Sequence, residues 1–351
     1  MTNDKLRPAE LLLGAKLDGG WVVTSKISKS SVDSRYLSVC YRVERKDDKK
    51  KAFLKVLDYT LAMEQPDPSK ALHELTEAFD AEREILSQCK GSRLHRVAFS
   101  IADGTFNVEG FGVFGKVSYL IFDSADGDIR KQKELWQDLD LAWCLRSLHQ
   151  SAVGLMELHG LGIAHQDLKP SKILVFNDSG CKVSDLERAS HKYVEASEKG
   201  NFKLSIGYMA PEQWYGWHFK NDHTDRFMSD IYQLGSLIFF FFIGCSATQA
   251  IDMKLSKNNA KSFTKVNFEE DLPYIKQAFG EVLFDLKKRL DELDPRQSDE
   301  ILELAAELCE PDPRLRGDKK VLAYVHVPRY DLQRYVSRFN ILARRAELRL
   351  I

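Results

Sequence analysis

The ten residues HQDLKPSKIL, from His165 to Leu174, place two oppositely charged side chains close together just before an apolar run. Asp167 and Lys169 are two positions apart, so in an extended loop both side chains can point to the same side. A carboxylate in this position can accept the proton of a hydroxyl group, while the ammonium beside it steadies a phosphate. The pair therefore predicts a phosphate-transfer loop, although each charge taken singly would more often lie on the surface.

Two further charges lie among apolar residues earlier in the chain. In KAFLKVLD, strand alternation surrounds Lys55 with apolar neighbours on both faces. An unpaired buried charge is costly, so Lys55 requires a partner unless it lies on an edge strand and reaches water. Glu82 falls on the apolar face of a helix that we predict to have its N-cap at Ser69 and its end at Gly91. We therefore expect Glu82 to be the partner of Lys55.

A third acidic residue ends a short strand. The stretch CKVSD predicts a strand whose last residue is Asp185. Magnesium ions prefer carboxylate and phosphate oxygens, so an acid at a strand end near a phosphate site is a natural ligand. We expect Asp185 to bind a metal ion.

The elements that must position these side chains form a β-rich part and a helical part. Five stretches in the first ~120 residues favour strands, and one long helix interrupts them. They are GWVVTSKI, YLSVCYRVE, KAFLKVLD, RVAFSIADGTF and VSYLIFD. After DGDIR, the period of an α-helix dominates, and the apolar stretch LIFFFFIG predicts a buried helix.

The composition is that of a globular protein and excludes several classes of function. The 351 residues are 44% hydrophobic and 29% charged, with a formal net charge of −1, so nothing indicates a nucleic-acid partner. The six cysteines contain no CxxC pair, which predicts reduced, mostly buried thiols. The N-terminus lacks the apolar core of a signal peptide, and LIFFFFIG is far below the ~18 residues of a membrane span. We expect a cytoplasmic protein without a membrane partner.

Taken in order, the motifs resemble those of the eukaryotic-like serine/threonine protein kinases, and their style looks bacterial. After the strand lysine and the helix glutamate come HQDLKP, SDLE, YMAPE, SDIYQLGS and DPRLR. The resemblance implies an α+β, two-lobed protein-kinase-like fold, the use of ATP and Mg²⁺, and a protein substrate or regulatory protein partner. The implied domains are an N-terminal segment (1–19), a kinase-like N-lobe (20–123), a kinase-like C-lobe (124–326) and a C-terminal helical extension (327–351).

The resemblance also assigns the chemical roles. By it, Lys55 holds the α- and β-phosphates of ATP, and Glu82 is its helix partner. Asp167 is the catalytic-loop aspartate, expected in a solvent-facing cleft, and Lys169 contacts the γ-phosphate. Asp185 is the metal-binding aspartate of the motif usually written Asp-Phe-Gly.

Other residues receive structural roles from the same resemblance. Glu212 of APE would pair with Arg316 of DPRLR and hold the substrate-loop platform. Asp230 would brace the catalytic loop from a central helix.

The stretch LIFDSADGDI resembles the hinge between the lobes. Phe122 would be the bulky residue that guards the back pocket. Asp123, Ser124 and Ala125 would supply backbone contacts to adenine.

The sequence departs from the family pattern in the glycine-rich loop. SKSSVDSRYLS stands in its place, with Ser28 and Ser30 at the first two glycine positions. Serine is small enough for the backbone to approach a phosphate, but it lacks the freedom of glycine at positive φ.

Position 172 is a second departure, because the family places an asparagine there as a ligand of the second metal ion. Lys172 has no acceptor atom and carries a positive charge. We expect it to pair with Asp167, Asp185 or an ATP phosphate and so to weaken binding of the second metal ion. The alternative is that Lys172 points to solvent.

Two more departures concern neighbouring motifs. Leu186 can fill the apolar role of the phenylalanine in Asp-Phe-Gly, but Glu187 replaces the glycine and adds a carboxylate near the metal site. This carboxylate could hinder the change between loop states or help to hold a cation. Gln166 replaces the arginine that commonly binds a phosphate on the activation loop, which favours control by other means.

Two classes of function remain open. An active serine/threonine kinase would transfer the γ-phosphate of ATP to a protein hydroxyl, and the retained lysines and acids favour it. A pseudokinase would act as a nucleotide-binding or regulatory module, which the serine loop, Lys172 and Glu187 favour. Small-molecule kinases related to the aminoglycoside phosphotransferases share the HxD loop but lack the APE…D…R platform, so they are disfavoured.

The C-terminal stretch YDLQRYVSRFNILARRAELRLI predicts an amphipathic helix. Its apolar face consists of Leu332, Tyr335, Val336, Phe339, Leu342 and Ala346. We expect this helix to dock on its own domain, and the alternative is a helix that binds a partner or a second copy.

Overall fold

The computed structural model describes residues 7–27, 38–135, 140–192, 206–220, 222–257, 267–318, 320, 328 and 330–349. Contacts within the chain divide it into two compact units. Unit 1 consists of Met1–Arg93, Ala98–Asp126 and Asp185–Glu187. Unit 2 consists of Leu94–Val97, Gly127–Ser184 and Arg188–Ile351.

Unit 1 is built on a six-stranded antiparallel sheet. Its strands are β1 (Lys16–Leu17), β2 (Trp21–Lys26), β3 (Ser38–Arg45), β4 (Lys51–Leu57), β5 (Ser100–Asn107) and β6 (Lys116–Asp123). The order across the sheet is β1-β2-β3-β4-β6-β5, and the five longer strands confirm the five predicted stretches. β4 pairs with β3 on one side and β6 on the other, so Lys55 does not lie on an edge strand.

One face of this sheet packs against the residues that precede β1. Ala9, Leu12 and Leu17 are buried in the same apolar cluster as the inward-facing side chains of β2, β3, β4 and β6. The hydroxyl of Tyr41 donates a hydrogen bond to the carbonyl oxygen of Ala9 at 2.8 Å. Ala9, Leu12 and Leu17 thus share the core of unit 1, although the sequence assigned them to a separate N-terminal segment. Because strand side chains alternate, Lys55 lies on the opposite face of the sheet.

Two helices follow β4, namely α1 (Thr60–Met63) and α2 (Pro68–Gly91). α2 ends at the predicted glycine, but the predicted N-cap Ser69 is wrong. The N-cap is Asp67, whose carboxylate accepts a hydrogen bond from the backbone N–H of Lys70 at 3.0 Å. An aspartate followed by a proline is a strong helix start, and this signal in QPDPS outweighs the serine.

Unit 2 is mainly helical. The helices described in it are α3 (Ile129–Leu135), α4 (Leu141–Gly160), α5 (Pro211–Tyr215), α6 (His223–Phe242), α7 (Ala247–Lys257), α8 (Phe268–Leu293), α9 (Ser298–Leu308) and α10 (Gln333–Glu347). The short strands are β7 (Gly127–Asp128), β8 (Ile163–Ala164), β9 (Ile173–Phe176), β10 (Gly180–Val183) and β11 (Ser190–His191). They form a three-stranded sheet in the order β10-β9-β7 and a separate pair of β8 with β11.

α6 is the most enclosed helix that the structure describes. It contains most of LIFFFFIG, and nearly all of its side chains after its first turn are buried, as predicted. A helix that is enclosed on nearly all sides and mostly apolar belongs in the interior of a domain. Within the described ranges, no helix is by itself long and apolar enough to cross a membrane, and α6 meets that test only together with α7, across a bend of 72°.

The six cysteines are free thiols, and most of them are enclosed. The buried ones are Cys89, Cys144, Cys181 and Cys309. Burial raises the pKa of the Cys144 and Cys309 thiols above the ordinary value, because the thiolate is poorly solvated there. These thiols are therefore packing groups.

The C-terminal helix α10 packs along α4, which confirms that it docks on its own domain. Tyr335, Phe339 and Leu342 are at most 1% exposed. Arg146 of α4 donates hydrogen bonds to both carboxylate oxygens of Glu347, at 2.7 and 2.8 Å. α10 is thus part of the core of unit 2.

We predict that Phe339→Ala lowers the free energy of unfolding by about 3–5 kcal/mol, because it removes a large buried side chain and leaves a cavity. Urea unfolding followed by circular dichroism measures the change. Ile341→Ala on the exposed side of the same helix is the control and should cost less than about 0.5 kcal/mol. Equal losses of unfolding free energy in the two variants would show that the face of α10 with Phe339 does not anchor the helix.

Candidate active site

Lys55 of β4 and Glu82 of α2 form the expected ion pair within unit 1. The Lys55 ammonium lies 3.0 Å from Oε1 and 2.9 Å from Oε2 of Glu82. The side chain of Glu82 is only 2% exposed and that of Lys55 is 15% exposed. Two charges that would each be costly to bury alone are therefore satisfied by one another.

Two more carboxylates approach the same ammonium group. Glu187 Oε2 lies 3.6 Å and Asp185 Oδ1 lies 3.8 Å from Lys55 Nζ. Burial by itself disfavours the charged form of the lysine, but the negative charges of Glu82 and Glu187 outweigh it and raise the pKa of Lys55 above its ordinary value. Lys55 is therefore a permanent cation that can hold an anionic ligand.

The predicted hinge residues lie at the end of β6 and just beyond it. Phe122 pairs across the sheet with Phe53, and their ring centroids are 6.4 Å apart. Asp123 ends β6, and its carboxylate lies 2.7 Å from the ammonium of Lys50. Ser124 and Ala125 follow in the loop before β7. The backbone contacts with adenine that the resemblance implies for them stay predictions.

The loop that follows β8 in unit 2 is organised around a buried histidine. The backbone N–H of Asp167 donates to Nδ1 of His165 at 3.2 Å, so the ring proton lies on Nε2, which donates to the carbonyl oxygen of Ser184 at 3.1 Å. Burial is the largest cause that lowers the pKa of His165, and the positive charge of Lys172 acts in the same direction. His165 is therefore neutral and serves as a fixed spacer inside the loop.

Two side chains of α6 hold the backbone of this loop. The carboxylate of Asp230 accepts hydrogen bonds from the backbone N–H groups of His165 at 2.7 Å and Gln166 at 2.6 Å. One turn later, Oε1 of Gln233 accepts the N–H of Leu168 at 2.7 Å. Asp230 thus contacts the loop in the way that the resemblance implies, and Gln233 extends the same support.

Asp167 and Lys169 lie side by side at the end of the supported loop. Lys169 Nζ is 3.4 Å from Asp167 Oδ2. The expectation that Asp167 faces solvent is wrong, because this residue is only 8% exposed and Lys169 only 9%. The hydrogen bonds to α6 draw the loop inward, so its carboxylate is enclosed.

A fully buried ion pair joins α5 to the segment after α9. Arg316 donates to the two carboxylate oxygens of Glu212 at 2.6 and 2.7 Å, and it is 0% exposed. Its remaining N–H groups contact backbone carbonyl oxygens, including that of Glu310 at 2.9 Å. Burial opposes the charge of Arg316, but Glu212 outweighs this effect and raises the pKa of the guanidinium. The bidentate geometry is the most favourable one for such a pair.

The sequence pattern of the protein kinase domain matches residues 36–323, which is most of the chain. The chain belongs to the protein kinase domain family. The α+β, protein-kinase-like fold predicted from the motifs is thereby confirmed, and so is the resemblance to the eukaryotic-like serine/threonine kinases.

Several curated serine/threonine kinases are similar to this chain over part of its length. The probable serine/threonine-protein kinase PknB of Lactococcus lactis is 26% identical over 226 residues, which are 59% of this chain and 34% of that protein. Serine/threonine-protein kinase PknA of Mycobacterium tuberculosis is 30% identical over 125 residues, 34% of this chain and 27% of that protein. The serine/threonine-protein kinase/endoribonuclease IRE1a of Arabidopsis thaliana is 28% identical over 134 residues, 37% of this chain and 15% of that protein. The chain thus spans between 15% and 34% of the length of these relatives.

Lys172, which stands where the kinase family has an asparagine, is fixed through its backbone. Its N–H donates to the carbonyl oxygen of Lys169 at 2.8 Å, which closes a 3-10 turn from Pro170 to Lys172. Its carbonyl oxygen accepts hydrogen bonds from the N–H of Ser184 at 2.8 Å and from the hydroxyl of Ser184 at 3.0 Å. The expected pairing of the Lys172 ammonium with Asp167, Asp185 or a phosphate stays a prediction.

Gln166, which replaces the usual arginine of the kinase loop, makes hydrogen bonds with the segment at β11. Its amide nitrogen donates to the carbonyl oxygen of Arg188 at 2.9 Å and to the hydroxyl of Ser190 at 2.8 Å. Arg226 of α6 donates to the same hydroxyl at 2.8 Å. A neutral side chain thus links the kinase loop to this segment. The expectation that control works by other means stays a prediction.

Two of the predicted site residues, Ser28 and Ser30, lie outside the described residues. Sequence reasoning missed Gln233 and His159, whose Nε2 lies 2.9 Å from Asp230 Oδ2. The spacing of Asp230 and Gln233 by one helical turn was the available signal for a shared role.

We predict that Glu212→Gln lowers the free energy of unfolding by about 3–5 kcal/mol, because it leaves the buried charge of Arg316 without its counter-ion. Thermal and urea unfolding measure the effect. Glu269→Gln is the matched control, since Glu269 pairs with Arg314 on the surface, and it should cost no more than about 1 kcal/mol. A small loss for Glu212→Gln would mean that backbone carbonyl groups alone suffice for Arg316.

Proposed function

We propose that the chain is an ATP-dependent serine/threonine protein kinase that binds its second magnesium ion weakly. The observation that carries the proposal is the position of the Lys55 ammonium, which contacts both oxygens of Glu82 and lies 3.8 Å from Asp185. Phosphoryl transfer by protein kinases needs the lysine–glutamate pair and the metal-binding aspartate in place together. The names of the serine/threonine kinases similar to this chain support the same class of reaction.

In unit 1, Lys55 would hold the α- and β-phosphates of ATP, and Asp185 would hold Mg²⁺. Bound Mg²⁺ neutralises charge on the phosphate oxygens during transfer. No three His, Cys, Asp or Glu side chains within the described ranges are arranged to hold a metal ion by themselves. Mg²⁺ usually takes only one or two carboxylates together with substrate phosphates, so the carboxylate of Asp185 fits this ion.

In unit 2, Asp167 would orient the substrate hydroxyl and accept its proton, and Lys169 would steady the transferred phosphate. The loop is suited to these roles because its backbone is held at three N–H groups by Asp230 and Gln233. A loop held in advance does not have to be ordered during the reaction, which favours the transition state. The hydroxyl would belong to a serine or threonine of a protein, and a cytoplasmic location stays a prediction.

A pseudokinase that binds nucleotide or a regulatory partner is the second candidate. Two observations favour it. Glu187 lies 3.6 Å from the lysine that would bind phosphate, and Lys172 supplies no acceptor for a second metal ion. Thermal shifts with ATP, measured with and without magnesium beside a γ-phosphate transfer assay, separate the two candidates.

We predict that Asp167→Asn reduces the rate of phosphoryl transfer by about 10²–10⁴-fold, because the amide cannot accept the hydroxyl proton. Asparagine has the same shape, so the chain should still fold, and any fall in melting temperature reflects the lost ion pair with Lys169. Transfer of ³²P from γ-labelled ATP to a mixture of protein substrates measures the rate. Asp178→Asn, on the exposed turn between β9 and β10, is the control and should keep the parent rate. A parent-like rate in Asp167→Asn would contradict the role assigned to Asp167.

We also predict that Lys172→Asn raises the rate about threefold to tenfold and makes it depend more steeply on magnesium. The reason is that a neutral oxygen ligand replaces a cation at the place of the second metal ion, and ~1.4 kcal/mol corresponds to tenfold in rate. Initial rates across a range of magnesium concentrations at fixed ATP measure the effect, with Lys131→Asn on the exposed side of α3 as the control.

Each other outcome for Lys172→Asn has a distinct meaning. An unchanged rate would mean that Lys172 does not act on the metal site. A lower rate would mean that the lysine itself binds phosphate. No transfer by either protein, with no thermal shift from ATP, would favour the pseudokinase.

A further inference from the structure

The Lys55 ammonium lies within 4 Å of three carboxylates, one more than the helix glutamate and the metal-binding aspartate of the kinase pattern. The distances from Nζ are 2.9 Å to Glu82, 3.6 Å to Glu187 and 3.8 Å to Asp185. Three negative charges therefore approach the same ammonium group. Among the described residues, no three His, Cys, Asp or Glu side chains are arranged to hold a metal ion by themselves.

The three carboxylates differ in how firmly they are held. Glu82 is 2% exposed and contacts the ammonium through both oxygens, so it is a fixed partner. Glu187 is 45% exposed and approaches through one oxygen at a longer distance. A partly solvated carboxylate at this distance is easily displaced from Lys55, because an exposed ionic contact contributes little to stability.

The position of Glu187 sets up a competition. An anionic phosphate that approaches Lys55 needs the same ammonium protons that Glu187 faces, and it meets the negative charges of both Glu187 and Asp185. A negative charge within a few ångströms disfavours binding of the incoming phosphate. A divalent cation that binds between the phosphate and these carboxylates removes the repulsion. Glycine, which the kinase pattern has at this position, would add no charge.

We propose that Glu187 is an internal counter-anion of Lys55, which competes with nucleotide phosphate and makes nucleotide binding depend on a divalent cation. This inference rests on the proposed function, because it takes Lys55 as the phosphate-binding lysine. Glu187 would act through Lys55 and not on the transferred group, so it is a positioning residue. Without a divalent cation, Lys55 would stay paired with Glu187 and the chain would bind ATP poorly.

The test compares ATP affinity of the full chain and of Glu187→Gln by isothermal titration calorimetry, in EDTA and in excess magnesium. Glutamine keeps the shape of the side chain and removes only the charge. We expect Glu187→Gln to bind ATP about threefold to tenfold more tightly in EDTA, since one exposed charge pair near a ligand has an effect of this order. In magnesium the difference should shrink to less than about twofold.

Two further variants make the result specific. Glu84→Gln removes the same charge from an exposed position of α2, two residues beyond Glu82, and should match the parent protein in both conditions. Glu187→Ala should show the same gain in ATP affinity in EDTA as Glu187→Gln. This result would mean that the lost charge, and not a new amide contact, causes the gain.

Three results would overturn the inference while leaving the proposed function intact. The first is a parent protein that binds ATP equally well with and without magnesium. The second is an unchanged or weaker affinity of Glu187→Gln in EDTA. The third is a loss of affinity for Glu187→Gln in magnesium alone, which would make Glu187 a metal ligand. If neither the parent nor any variant binds ATP in either condition, the proposed function fails and this inference fails with it.

Discussion

A single buried carboxylate, that of Asp230, holds the loop of unit 2 that carries Asp167 and Lys169. It accepts two backbone N–H groups of the loop and lies within hydrogen-bond distance of His159. A carboxylate with no exposure to water is tolerable only when several donors satisfy it, and the loop backbone supplies them. The cost of burying the charge is thereby linked to the conformation of the loop. If the loop changed shape, Asp230 would lose its donors, so the two stabilise each other.

Unit 1 uses charge in a different way. There the fixed element is the contact of Lys55 with both oxygens of Glu82. Glu187 and Asp185 are more exposed than Glu82 and lie farther from the ammonium group. The buried pair keeps the ammonium in one place, whereas the carboxylates of Glu187 and Asp185 add negative charge near it. A site of this kind can keep its architecture while its affinity for anions is tuned, because a change at an exposed carboxylate leaves the buried pair intact.

The fold and much of the candidate site could be predicted from the sequence because their signals are local. Strand alternation, helical periodicity and short motifs identified the sheet, α6 and the pair of Lys55 with Glu82. The start of α2 was mispredicted because two capping residues, Asp67 and Ser69, competed within three positions. The burial of Asp167 could not be foreseen, since it depends on how the loop packs against a helix more than sixty residues away. For Gln233, the spacing from Asp230 by one helical turn was the only local signal. The contact of Glu187 with Lys55 joins residues that are 132 positions apart in the sequence, and no local sequence pattern indicates such a contact.

The docking of α10 on α4 has a consequence for how the chain can be divided. The kinase family match ends at residue 323, but α10 begins at Gln333 and supplies Tyr335, Phe339 and Leu342 to the interior of unit 2. A recombinant fragment trimmed to the family boundary would lack this helix and expose the apolar surface of α4 that it covers. Exposed apolar surface of this kind promotes aggregation, so such a fragment would be a poor reagent for solution work. For this member of the family, the limits of the folding unit and the limits of the shared sequence pattern are different.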